Sequence, residues 1–239
     1  MASAGASAFN HYFDRDIDSL MKRTGSRPIP SGLVPDERKI LLISVFLFLA
    51  SILISFNVLN FMVGLHLFLG GLTYALIYTV WLKRRSWTNI ILGGLAGSFA
   101  VLAGGASASP GLCLAPALLA VTMFFWTPSH FWSFALIHRE DYERAGVPML
   151  PSVVGNEKTA RYILINTILL VISSFLPVAF GLLGWVYAIS AFTLGAFFIA
   201  RNIQLIRSLT KEAARKNFMA SMVYLGGLLL TVTVDALLG

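Results

Sequence analysis

Three side chains near the start of the chain share a spacing that can do chemistry. Asn10, Asp14 and Asp18 lie at i, i+4 and i+8, so on a helix they stack on one face over about two turns. Their oxygens are hard ligands suited to Mg²⁺, and a basic run of Lys22, Arg23 and Arg27 follows directly. Carboxylates that hold a divalent cation beside ammonium and guanidinium groups suit the binding of a diphosphate. Asn10, Asp14 and Asp18 are therefore the candidate metal ligands, and Lys22, Arg23 and Arg27 the candidate diphosphate contacts. The alternative is a capping and charge-balancing cluster at a membrane surface, but the strict i+4 register favours metal. Arg15 and Asp16 fall off the shared face and read as supporting residues.

A second cluster lies far along the chain. His130-Phe131-Trp132 leads into His138-Arg139-Glu140-Asp141-Tyr142-Glu143-Arg144 and then Ala145-Gly146-Val147-Pro148-Met149-Leu150-Pro151. Asp141 is the candidate carboxylate here, able to join Asp14 and Asp18 around a diphosphate and its metals. Glu140 and Glu143, flanked by arginines, fit a hydrated surface equally well.

The elements that must bring these clusters together are membrane helices. Hydrophobic residues make up 57% of the chain and charged residues 12%, against roughly 25% charged in soluble proteins. Seven apolar runs approach or exceed the length of about 20 helical residues that crosses a bilayer core. They are Ile40–Phe56, Leu59–Trp81, Asn89–Ser107, Leu112–Ile137, Tyr162–Leu183, Trp185–Ile206 and Phe218–Leu238, with breaks at Asn57 to Asn60, Ala108 to Gly111 and Gly184. If each crosses once, one side receives everything before residue 40 and segments 82–88, 138–161 and 201–217. All 18 Lys and Arg lie in those segments or at their helix ends. That asymmetry puts the charged side in the cytoplasm, with both acidic clusters on it, and assigns the net charge of +7 to topology and substrate rather than nucleic acid. The chain is thus expected to be an all-α polytopic transmembrane bundle, residues 1–239 forming a single domain in the cell membrane.

Several residues inside the spans have simpler readings. Gly93, Gly94, Gly97, Gly104 and Gly105 form a small-residue pattern suited to close helix packing. Pro116 and Pro128 are expected to kink the fourth span. Cys113 reads as a small buried apolar residue. His66 and Asp235 lie in spans, where polar side chains face the bundle interior, without an assignable role.

The stretch N-x-x-x-D-x-x-x-D from Asn10 to Asp18, followed by Met21-Lys22-Arg23-Thr24 and Arg27-Pro28, resembles the first aspartate-rich motif of the UbiA-type intramembrane prenyltransferases. Trp126-Thr127-Pro128-Ser129-His130-Phe131-Trp132, the segment from Asp141-Tyr142 to Pro151, and Trp81-Leu82-Lys83-Arg84-Arg85 with Asn89-Ile90 and Gly93-Gly94 resemble its protohaem IX farnesyltransferase (haem O synthase) branch. Quinone-type members carry a D-x-x-x-D second motif, whereas the residue four before Asp141 is Ile137. The resemblance implies transfer of the farnesyl group of farnesyl diphosphate to a vinyl group of haem B, with haem A synthase or a terminal oxidase as partner. It implies two Mg²⁺ ions held by Asn10, Asp14, Asp18 and Asp141, with Asp14, Asp18 and Asp141 as the catalytic residues. Lys22, Arg23, Arg27, Lys83 and Arg84 would neutralise the diphosphate, while Trp132 and Tyr142 could stabilise an allylic cation. His130 and His138 are candidate haem ligands, or hydrogen-bonded structural residues.

The pattern departs from the family in two places. Members are expected to have nine helices, with the first motif at the end of the second; nine helical residues before Asn10 span only ~13 Å. The chain is therefore expected to be N-terminally shortened, with seven spans of nine. Ser98-Phe99-Ala100-Val101-Leu102 stands where a Pro-containing stretch is expected, a change that could alter the substrate pocket. Two other classes compete: a UbiA-type prenyltransferase with an aromatic or lipid acceptor, and a non-catalytic membrane protein such as a truncated relative or a small transporter. Charge clusters at the membrane face, rather than at the midplane as in transporters, favour the enzyme.

Overall fold

Residues 1–111 and 113–238 are described by the computed structural model, and every regular element among them is helical. Two short helices, α1 (Ala2–Phe13) and α2 (Arg15–Leu20), open the chain. Among the described residues, seven helices are long and apolar enough to cross a membrane: α3 (Glu37–Leu59), α4 (Phe61–Leu82), α5 (Asn89–Ala108), α6 (Leu114–Ile137), then α9 (Asn156–Ala179), α10 (Trp185–Ser208) and α11 (Lys211–Leu238). Between α6 and α9 lie two short helices, α7 (Arg139–Arg144) and α8 (Leu150–Val154). The chain is a multi-pass membrane protein. Its exposed side chains along the spans, among them Phe46, Leu53, Ile165, Ile172 and Phe192, are the apolar ones that lipid requires.

The seven spans are those expected, but their ends move for a physical reason. Apolarity marks the part of a helix that lies in lipid, whereas the helix itself continues wherever its polar turns can pair. The fifth span starts at Asn156 rather than Tyr162, and Glu157 pairs with Arg161 across its first turns at 2.5 Å. The seventh starts at Lys211 rather than Phe218, and Glu212 pairs with Lys216 at 2.6 Å. Both are i,i+4 pairs of the kind that supports an exposed turn. Leu112, the expected start of the fourth span, lies outside the described residues. Pro116 is not an interior kink as expected. It sits in the first turn of α6, where its missing N–H interrupts no hydrogen bond, and Pro128 alone is interior.

Helix packing bears out the glycine reading only in part. A Cβ on Gly93 would come within 2.9 Å of the Tyr78 ring, so close packing requires the glycine there, whereas one on Gly104 would meet nothing within 4 Å. The helix of the third span also breaks at Gly94, between Asn89–Gly93 and Leu95–Ala108.

The chain divides into two compact units. The first comprises Met1–Cys113 and Arg139–Met149, the second Leu114–His138 and Leu150–Gly239. In the first, α1 lies along α3 and α4 along α5. Asn60 fastens this end of α4 twice: its side chain caps the helix by accepting from Val63 N–H at 3.0 Å and donates to the Ala106 carbonyl at 2.8 Å.

In the second unit, Tyr187, Phe198, Tyr224, Leu170 and Leu228 build an apolar core. Beside it runs a hydrogen-bonded spine. Asn166 donates to Ser129 Oγ at 2.7 Å, Ser129 and Thr167 share a bond of 2.9 Å, and Thr167 donates to Asn202 at 3.2 Å. Asp235, which had no assignable role from sequence, accepts from the backbone N–H groups of Gly184 and Tyr187. It thereby satisfies donors at the start of α10 that have no partner within the helix, and a carboxylate there complements the helix dipole. Asp235→Ala is expected to lower stability by about 1–2 kcal/mol, with Asp235→Asn falling between it and the parent in thermal unfolding.

Candidate metal and diphosphate site

The site is built entirely within the first unit, from α1, α2, the segment that follows them, the end of α4 and the Asp141 turn. The helix carrying the first motif is interrupted at Asp14, which joins α1 to α2 with φ −91° and ψ 5°. The register survives the break, because Asp14 N–H still bonds Asn10 C=O at 2.9 Å and Asp18 N–H still bonds Asp14 C=O at 2.8 Å. All three side chains are buried: Asn10 at 7% exposure, Asp14 at 0% and Asp18 at 2%.

Buried carboxylates need compensation, and each here has a cation. Lys83 Nζ pairs with Asp14 Oδ2, and Arg84 stands 3.8 Å from Asp14 Oδ1. Arg27 pairs with Asp18 at 2.6 Å. Asn10 Nδ2 donates to Asp14 Oδ2 at 2.6 Å and to Thr79 Oγ1 at 3.2 Å. Burial pushes the Asp14 carboxyl above its ordinary value, opposed by the Lys83 ammonium.

Lys83 is positioned by an irregularity in α4. Its last turns, Thr73–Leu82, are π-helical. Lys83 N–H bonds Tyr78 C=O five residues back at 2.8 Å, and the Thr79 hydroxyl donates to Tyr74 C=O at 2.8 Å. The wider turn aims Thr79 and Lys83 at the first motif, in keeping with the habit of π-turns to mark functional sites.

Asp16 supports the cluster, as its off-face position implies. Arg84 grips its two oxygens at 2.6 and 2.7 Å while also donating to Phe13 C=O at 2.8 Å. These bonds hold the Asp16 carboxyl below the usual carboxylate range.

Asp141, 8% exposed, closes the arrangement. Its Oδ1 accepts from Lys22 N–H at 3.4 Å and pairs with Arg144 at 3.1 Å. Next to it the buried Tyr142 hydroxyl bonds Arg23; burial pushes the phenol up, with Arg23 acting against it. The structure thus brings Asn10, Asp14, Asp18, Asp141, Lys22, Arg23, Arg27, Lys83, Arg84 and Tyr142 together in one unit. His130 belongs to the other unit, where its Nδ1 lies 2.7 Å from Ser221 Oγ. Sequence reasoning missed Thr79 and gave no role to Thr24, whose hydroxyl donates to Asp18 C=O at 3.0 Å. A threonine in an apolar or basic run carries no spacing signal.

Among the described residues, no three His, Cys, Asp or Glu side chains converge as a ready metal cluster. The side chains of Lys83, Arg27 and Arg144 stand at the carboxylates instead. Asp14 Oδ1 is nevertheless buried with no hydrogen bond. An orphaned anionic oxygen of this kind, with a second carboxylate one turn away, fits a hard divalent cation.

The chain belongs to the UbiA prenyltransferase family, which it matches over residues 1–225. Protoheme IX farnesyltransferase 1 of Paramagnetospirillum magneticum is 50% identical over 235 residues, covering 98% of this chain and 83% of that relative. Protoheme IX farnesyltransferase 1 of Cenarchaeum symbiosum is 43% identical, covering 99% and 79%. A solved structure of digeranylgeranylglyceryl phosphate synthase superposes with a TM-score of 0.80 at 22% identity, over 98% of this chain and 81% of that one. A UbiA homologue from Archaeoglobus fulgidus bound to DMAPP and Mg²⁺ gives 0.67 at 16% identity, over 98% and 84%. These two likenesses show the fold.

Removing the Lys83 ammonium leaves the Asp14 charge without its closest partner. Lys83→Met is expected to destabilise the protein by about 3–5 kcal/mol in metal-free thermal unfolding, with part of the loss regained on adding Mg²⁺.

Proposed function

We propose that this chain transfers the farnesyl group of farnesyl diphosphate to a vinyl group of haem B, giving haem O. The observation that carries the reading is the buried carboxylate cluster ringed by lysines and arginines, in a chain half identical to a protoheme IX farnesyltransferase. Residues 1–239 are read as one prenyltransferase domain, with its charged loops toward the cytoplasm.

The reaction needs a leaving group with its charge neutralised, an acceptor carbon held in place and water kept away until the new bond has formed. Asn10, Asp14 and Asp18 would hold one Mg²⁺ and Asp141 would help hold a second. Bound there, the metal supplies Lewis-acid stabilisation of the diphosphate as its C–O bond breaks. Lys22, Arg23, Arg27, Lys83 and Arg84 supply the remaining positive charge, so the diphosphate leaves with the bonding electron pair. The paired Lys83 and Arg27 would exchange their carboxylate contacts for phosphate oxygens as the metal takes over the acids. Carbon 1 of the farnesyl chain bonds the terminal vinyl carbon, and water adds at the neighbouring carbon with loss of one proton. Tyr142, kept as a neutral phenol by burial, can steady the allylic cation through its negative face, at about 0.5–2 kcal/mol. Haem A synthase or a terminal oxidase would consume the product in the same membrane.

The test is product formation. Membranes holding the chain, supplied with haem B and farnesyl diphosphate, are expected to give haem O by mass only with Mg²⁺. Asp14→Asn should lower the rate by about 100-fold or more, while Asp235→Asn keeps it.

A further inference from the structure

The second unit holds more positive charge than its acids can pair. Seven Lys and Arg stand there against three acids, Glu157, Glu212 and Asp235. Glu157 is taken by Arg161 and Glu212 by Lys216, while Asp235 holds backbone N–H groups at the start of α10. Among the described residues, no carboxylate pairs with Arg201 or Arg215. Arg201 instead donates to Gln204 at 2.9 Å and lies over the Phe197 ring, 5.2 Å from its centroid.

The turn between the last two spans brings these arginines to one place. α10 ends at Ser208 and α11 starts at Lys211, with Leu209 in the left-handed region at φ 49° between them. The two helices therefore run antiparallel along one another. Near this end they leave an open groove of about 490 Å³. α10 lines it with Phe197 and Arg201, one turn apart, and α11 with Arg215, Met219 and Val223, at i, i+4 and i+8. Lys216 lines it as well, already paired with Glu212 at 2.6 Å. On both helices the cation stands nearer the turn and the apolar side chains stand deeper in the span. Arg201 is about 10 Å along the axis from the end of α10.

A groove charged at its mouth and apolar along its length has the polarity of a phospholipid. Guanidinium groups match phosphate oxygens in charge and in the spacing of their donors, and basic pockets between membrane helices suit anionic headgroups. Topology asks only for Lys and Arg near helix ends, and the exposed Arg207 meets that need outside the groove. It gives no reason for two arginines without acid partners to flank an apolar trough. Phe197, Met219 and Val223 are exposed and meet lipid chains in any case. Selectivity must then come from the headgroup.

We propose that the groove between α10 and α11 is a binding site for one anionic membrane phospholipid. Its phosphate-bearing headgroup lies between Arg201 and Arg215, and an acyl chain follows Phe197, Met219 and Val223. The site stands wholly within the second unit and does not rest on the farnesyl-transfer reading.

The test places the full chain in phosphatidylcholine nanodiscs with a trace of spin-labelled phosphatidylglycerol or, separately, spin-labelled phosphatidylcholine. Electron paramagnetic resonance reads the motionally restricted fraction of each label. The parent is expected to prefer phosphatidylglycerol by about five-fold or more. Arg201→Gln with Arg215→Gln should abolish that preference, while Arg207→Gln keeps it. Met219→Trp, which leaves every charge in place and fills the apolar half, should lower retention and covers the case in which the double variant does not fold. Equal retention of the two lipids by the parent would overturn the site, as would a loss in Arg207→Gln equal to that in the double variant. Retention unchanged in Met219→Trp would overturn the placement of the chain. Preference erased by inorganic phosphate, but not by chloride at the same ionic strength, would assign the arginines to a soluble anion and overturn the lipid.

Discussion

A carboxylate removed from water must be neutralised, and the first unit is arranged around that requirement. Asp14 is wholly buried in a chain whose spans offer lipid rather than water as surroundings. Burial pushes its carboxyl above the ordinary value, and Lys83 and Arg84, which converge on it with Asn10, act against that. Asp18 and Asp141 repeat the arrangement with Arg27 and Arg144. Removing either member of such a pair leaves the other exposed to the full desolvation cost, so acids and bases are retained together. On the proposed function, a cluster with more cations than acids would exchange partners, the acids turning to the metal and the bases to the phosphate.

The helices serve this cluster through their irregularities. A regular α-helix through residues 2–20 would have no break at Asp14, and α4 without its π-helical end would present Thr79 and Lys83 on a different bearing. These two departures sit where α1, α2 and α4 meet the charged groups. In the second unit, polar groups are tied to one another in the spine from Asn166 through Ser129 and Thr167 to Asn202, and Asp235 caps a helix start instead of serving chemistry.

Much of this was legible in the sequence. Long apolar runs and one-sided Lys and Arg gave the span count, because lipid leaves little freedom in how a chain crosses it. The i+4 register of Asn10, Asp14 and Asp18 put the three on one buried face, and Asp16 was set off it, where it pairs with Arg84. What stayed hidden depended on backbone detail or on partners distant in sequence. The π-turns at Thr73–Leu82 have no residue signature, so nothing marked Thr79 as a partner of Asn10. Helix starts at Asn156 and Lys211 lay in polar turns that hydropathy does not see. Pro116 gave no kink because its position in the first turn, invisible in a run of apolar residues, made its missing N–H harmless.

The central claim is that the acids of the first unit take a divalent metal together with the diphosphate. Pulsed electron paramagnetic resonance with Mn²⁺ in place of Mg²⁺ reads this directly, on the full chain in nanodiscs with farnesyl diphosphate. The account predicts a bound Mn²⁺ signal with phosphorus hyperfine coupling that is lost in Asp14→Asn. A coupling that survives Asp14→Asn unchanged, or a manganese signal that stays that of the free aqueous ion in the parent protein, would contradict it.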